Sequence, residues 1–279
     1  MIEKGSSART VIAVTARILP TVAAAEAGLC LVRACVPQAT LAGTSDFVGN
    51  FIQALATVYA VLLAFVVFVV WGQFNDARSF IEREANELLD LYRTARALPD
   101  GIGRALCAHV AAYVEEVLGH EWHEMARFSP NPLVKGTEIL DAVWEDLARV
   151  EPKTDREGIV LGELLSRYND LSDLRSQRVA SSRLRIPLAL RIFIYTGAAM
   201  NVSALYLVGV STFAVHALAV GALAGALAHV LYVVHDLDNA FAGDWQVSRA
   251  PFERVARYVD RCSIVDNSAE TRTGPISSG

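Results

Sequence analysis

Between Asp46 and Asp76 the chain reads Phe47-Val-Gly-Asn-Phe-Ile-Gln-Ala-Leu-Ala-Thr-Val-Tyr-Ala-Val-Leu-Leu-Ala-Phe-Val-Val-Phe-Val-Val-Trp71-Gly-Gln-Phe-Asn75, without a single charged side chain. About 20 apolar residues in helical conformation cross a hydrocarbon layer of ~30 Å, so this stretch predicts a transmembrane helix. A second uncharged stretch runs from Ile192 to His235. As one helix it would be about twice too long for the bilayer, so it predicts two crossings with a turn near Val208-Gly209-Val210-Ser211-Thr212. A weaker candidate, Ile18 to Val36, carries Glu26 and Arg33 and holds Pro20 near its start.

Charges inside a span are costly, so Glu26 and Arg33, seven residues apart and on one helix face, must be shielded from lipid. Two readings stay open: the face lines water or a subunit contact, or Arg33 reaches a boundary while Glu26 sits in a tilted segment. A cleaved signal peptide is a third, opposed by Arg17 in what would be its apolar core.

Composition agrees with a membrane chain. Hydrophobic residues make up 53% of the 279, charged residues 20%, and mean hydropathy is +0.34. Residues 72 to 187 hold 15 Lys/Arg and 20 Asp/Glu, leaving 10 of each for everything else, so the polar material forms one block. A net charge of −5 with no basic run excludes a nucleic-acid partner. Lys and Arg are absent from 34–77 and from 192–248, so both short connections, near 37–46 and 209–213, are expected to face outward. The amino terminus, the central block with Arg175, Arg178, Arg183 and Arg185, and the tail would face the cytoplasm. Cys30 and Cys35 fall on different helix faces and Cys107 and Cys262 on the reducing side, which predicts no disulfide.

The central block reads as helices at 76–98, 102–127, 137–150 and 155–185, each punctuated by Pro or Gly signals such as Pro99-Asp100-Gly101 and Ser129-Pro130-Asn131-Pro132. No strand alternation occurs, and the tail after Asp266 reads as disordered. The fold class is thus all-α, four-span, with a helical cytoplasmic domain. Expected boundaries are 1–75 for the first two spans, 76–186 for the cytoplasmic domain, 187–235 for spans three and four, and 236–279 for the final segment.

Four stretches carry a resemblance. Tyr59 to Pro99, with Trp71-Gly72-Gln73-Phe74 and Ala77-Arg78, is similar to the bestrophin-like family of bacterial membrane proteins. Glu121-Trp122-His123-Glu124-Met125 resembles that family's Glu-Trp-x-x-Met signature. Leu171 to Pro187, with Ser172, Arg175, Arg178 and Leu184, resembles its Arg-rich approach to the third span. After the fourth span, Asp236 to Gly243 resembles its acidic and Pro-Phe-x-Gly element, with Ala240 in place of the proline. The matches cover about 200 residues in the expected order.

The resemblance implies a bacterial inner-membrane homo-oligomer such as a pentamer, whose second spans surround a path for inorganic ions and whose helices extend into a cytoplasmic vestibule. Thr57, Val61, Phe65 and Phe68 share one helix face and are the candidate pore-lining residues, since a ring of apolar side chains gates an ion path by drying out. The same residues would also suit packing against neighbouring helices. The competing class is a non-conducting scaffold held by its spans, with the cytoplasmic domain binding a partner.

Other constellations are weaker. Glu116, His120, His123 and Glu124 cluster, yet the histidine spacing is wrong for a zinc-protease helix, and a solvated, salt-bridged surface is the expected reading. Asp236, Asp238 and Asn239, with Asp244 near by, suggest either an ion cluster or the capping of a turn, without the spacing of a calcium loop. His216 is expected near an outer boundary and solvated, His229 deeper. There is no phosphate loop, nucleophile elbow or triad, so no catalytic residue, cofactor or resident metal is expected.

Overall fold

The computed structural model describes residues 4–37, 41, 43, 45–98, 100–127 and 133–272, and no β-strand occurs among them. The helices are α1 (Lys4–Cys35), α2 (Ser45–Ala95), α3 (Asp100–Glu116), a π-helical turn (Val117–Glu121), α4 (Trp122–Ala126), α5 (Val134–Ala148), α6 (Asp155–Arg183), α7 (Leu188–Tyr206), α8 (Phe213–Leu237) and α9 (Ala250–Arg272). Among the described residues four helices are long and apolar enough to cross a membrane: α1 from Val14, α2, α7 and α8. The two-crossing reading of 192–235 holds, with the break one residue outside the anticipated Val208–Thr212 turn on its α7 side.

Two compact units make up the fold. The first comprises Met1–Gln73, Arg185–Asn239 and Gly243–Trp245, the second Phe74–Leu184, Ala240–Ala242 and Gln246–Gly279.

In the first unit α1 lies against α8 and α7. Ala25, Leu29, Val220 and Ala224 form the buried seam, where small side chains let the helices approach closely, as spans must when lipid gives no hydrophobic drive to associate. The Tyr206 hydroxyl donates to Ala25 O across it at 2.8 Å. On the α2 side the Tyr59 hydroxyl donates to Ile194 O at 2.8 Å. Arg33, in the last turn of α1, donates from Nη2 to Val210 O at 2.5 Å and lies over the Phe213 ring, so its charge is spent on the α7–α8 connection. Glu26 packs against Gly221.

The second unit has an apolar core built from α2 beyond Phe74, α3, α5, α6 and α9, with Leu88, Leu91, Leu106, Leu147, Leu164, Leu171 and Phe252 almost without exposure. Trp122 meets Phe241 and Phe252 edge-on at centroid distances of 5.5 and 6.5 Å. Thr154 caps α6, its hydroxyl accepting from Glu157 N at 3.2 Å, while Glu157 accepts from Lys153 N at 2.7 Å.

Two expectations need correction. The helix anticipated over 102–127 is interrupted by the π turn, because Glu121 and Trp122 both have to face the interior. The tail read as disordered from Asp266 is helical through Arg272, as the last turns of α9. Residues 273–279 lie outside the described ones.

Candidate functional site

Three neighbourhoods carry polar or exposed groups whose placement asks for an explanation. The first is the membrane-spanning part of α2. Tyr59, Leu63, Val66 and Val70 point into the protein, and on the opposite face Val61 is 65% exposed, Phe65 58% and Phe68 74%. Thr57 is exposed on the same face, its hydroxyl donating to Gln53 O at 2.7 Å, so it stays bonded within its own helix. The four candidate lining residues therefore share one free, mostly apolar stripe.

The second is a buried charge cluster. Arg178 has no exposure, and neither do Glu84 and Glu121. Its Nε donates to Glu84 Oε2 at 2.6 Å, and its Nη2 donates to Glu84 Oε1 at 3.1 Å and to Glu121 Oε2 at 2.7 Å. Nη1 lies 3.2 Å from Met125 Sδ. Arg175 Nη2 donates to the other oxygen of Glu121 at 2.6 Å and to Leu133 O at 2.8 Å. Tyr113 donates its hydroxyl to Glu84 Oε1 at 2.6 Å.

Two carboxylates thus balance two guanidiniums, which is the condition for keeping charge out of water. Burial pushes the Tyr113 phenol well above its ordinary value, and Glu84 beside it adds to the shift, so the hydroxyl stays a donor. Burial works against the Arg178 charge, but Glu84, Tyr113 and Glu121 outweigh it and raise its pKa.

The arrangement explains the Glu-Trp-x-x-Met signature residue by residue. Glu121 bridges the two arginines, Trp122 packs on Phe241 and Phe252, and Met125 meets Arg178. Arg175 and Arg178, counted above among the positive charges of the central block, are both paired with carboxylates inside the protein.

The third neighbourhood is the turn after α8. Asp236 accepts from Asp244 N at 3.1 Å and from Trp245 N at 2.6 Å. Gly243 has φ +95°, and a β-carbon there would collide with the Asp236 carboxylate. Asp238 accepts from Ile186 N at 2.7 Å and from Arg191 at 3.1 Å, and Asn239 N donates to Asp236 O at 3.4 Å. Arg17 donates to both Asp244 and Tyr232 at 2.7 Å, and the Tyr232 hydroxyl donates to Asp244. That hydroxyl, with Arg17, holds the Asp244 carboxyl below the usual carboxylate range. With Ala240 where the family motif has proline, the turn is held by the Asp236 carboxylate on backbone amides. Among the described residues no group of three or more His, Cys, Asp or Glu is arranged to hold a metal ion.

Sequence reasoning missed Glu84 and the π turn, and both had left a signal. Glu84 interrupts the apolar face marked by Ile81, Ala85 and Leu88. The apolar positions Leu106, Val110, Tyr113 and Val117 step by three or four, but the next, Trp122, comes five later. His216 was misplaced: it is fully buried, while His229 is exposed. Of the surface cluster, His120 and His123 are exposed, but Glu116 is buried and paired with Lys135 at 2.7 Å.

A helical membrane protein, with four helices able to span and a buried arginine–glutamate cluster in its other unit, is the class these features define. The chain belongs to the Bestrophin-like family, whose domain model matches residues 19–252. Two solved structures of point mutants of a bacterial bestrophin homologue from Klebsiella pneumoniae share the fold. One has a TM-score of 0.69 at 12% identity, covering 88% of this chain and 99% of the other. The second has a TM-score of 0.66 at 13% identity, covering 88% and 97%. No curated protein matches the chain.

Proposed function

We propose that the protein is the subunit of a homo-oligomeric ion channel of the bacterial inner membrane, with α2 helices around a central path lined by Thr57, Val61, Phe65 and Phe68. The observation that carries this reading is the stripe on α2: large apolar side chains, more than half exposed, on a helix that buries Tyr59, Leu63, Val66 and Val70 on its opposite face. Repeated around an axis, such a stripe makes a constriction that passes ions when wet and blocks them when dry. Membership of the Bestrophin-like family supports the same reading.

Topology follows from charge. Both termini lie in the cytoplasm and the connections near 37–46 and 209–213 lie outside, because only the latter lack Lys and Arg. The contact of Arg33 with Val210 O, which brings the end of α1 to the α7–α8 connection, agrees with this.

Ion flux in liposomes tests the proposal. The parent is expected to conduct, and a Val61→Ala, Phe65→Ala double variant, which widens and wets the constriction, to conduct at least several-fold more. Undetectable flux in both, across voltages and ions, overturns it.

A further inference from the structure

His216 lies in the second turn of α8 and takes no part in the neighbourhoods described above. Its side chain is completely buried. Nε2 is 3.0 Å from Leu205 O, in the last turn of α7. A carbonyl oxygen only accepts, so in the neutral ring the proton sits on Nε2 and the basic nitrogen is Nδ1. Nδ1 is itself buried and meets no donor among the described residues.

The charges around it are placed by the register of α1 on α8. Val22 lies against Gly225, Glu26 against Gly221, and Arg33 over the Phe213 ring, so the helices run antiparallel and His216 falls between the last two. Arg33 therefore stands on the side of the α7–α8 connection and Glu26 one turn or so deeper. From α7 the nearby ionisable group is Tyr206, whose hydroxyl is committed to Ala25 O. The next ionisable residue along α8 is His229, which is exposed.

We propose that His216 is a proton-binding site that controls how the α7–α8 connection, residues 207–212, is docked. With the ring neutral, Nε2–H joins Val208 N in donating to Leu205 O at the end of α7, and the connection is held beside it by Arg33. A proton taken from solvent onto Nδ1 creates a buried cation with no acceptor on that side and with the Arg33 guanidinium on the flank of the connection. The arrangement is relieved when the imidazolium and the connection leave the bundle. Acid on the side facing this connection therefore undocks it, whether or not the assembly conducts.

Hydrogen exchange on the full chain in nanodiscs tests this, with amides 205–216 followed from about pH 7.5 to about pH 5.5 and corrected for intrinsic chemistry. The parent is expected to lose protection about tenfold on acidification. His216→Gln keeps an N–H for Leu205 O but cannot take a proton, and its protection is expected to stay constant. His229→Gln is expected to behave as the parent. A parent whose protection does not change, or a His216→Gln protein that loses it equally, overturns the proposal. Should the glutamine variant not fold, histidine ¹⁵N resonances of the parent decide: conversion of Nδ1 to the protonated form together with loss of protection supports it, and an Nδ1 that stays unprotonated across the range overturns it.

Discussion

Arg178 is the residue on which the second unit is most exposed to damage. Removing its charge in Arg178→Met leaves Glu84 and Glu121 buried with only Arg175 opposite, and uncompensated buried charge costs about 3–5 kcal/mol. Thermal unfolding in detergent is expected to show that loss. Adding Glu84→Gln to it is expected to recover part, because one of the stranded charges is gone. Tyr113 adds a pH dependence of known sign. Its folded pKa is raised, so the stabilisation is complete below about pH 10, the ordinary tyrosine value, and fades as pH rises beyond it. The difference in stability between parent and Tyr113→Phe is expected to be flat from neutral pH to about pH 9.5 and to shrink above it. Gly243→Ala combines a left-handed backbone with a collision at Asp236, and is expected to cost at least ~1–3 kcal/mol by the same unfolding measurement.

At the level of elements, the π turn is what lets adjacent residues Glu121 and Trp122 serve two different interior surfaces. Inserting an alanine beside the exposed Gly119 would add a residue that the π turn does not absorb and turn everything after it by about 100°. Trp122 and Glu121 would then lose their partners together, and near-ultraviolet circular dichroism is expected to report loss of the tryptophan environment while helix content stays nearly unchanged. The element scale is also where the sequence was most readable. Uncharged length located α2, α7 and α8, and the Gly209 region located the break, since solvation of the backbone in lipid permits few alternatives. The interior of the second unit was less readable because helical periodicity marks a buried face without saying which charged residue on it has a partner. Glu84 looked like any acidic residue on an amphipathic helix until Arg178, 94 positions away, was placed beside it. His216 was misread for a related reason: its position along α8 suggested a water boundary, whereas Leu205 O and the α1 packing enclose it.

For the whole molecule, the proposed topology makes a direct prediction. A cysteine introduced at Gly43, in a background lacking the four native thiols, is expected to react with an impermeant maleimide added outside intact cells, whereas one at Lys135 is expected to react only after lysis. Labelling of Gly43→Cys from the inside alone would reverse the proposed orientation. The ring itself is a matter of stoichiometry, and native mass spectrometry from nanodiscs is expected to give one closed species, with a lone subunit counting against α2 as a shared lining.

The ties that α1 makes to the later spans bear on how the protein is made. Arg33 holds Val210 O, Tyr206 reaches back to Ala25 O, and Arg17 grips Asp244, so a segment synthesised early supplies the fittings for spans that are made after it. A hairpin arriving at the translocon without α1 in place would present its carbonyls and the Asp244 carboxylate to a vacant seat. Quality-control proteases are therefore expected to clear chains in which α1 failed to insert.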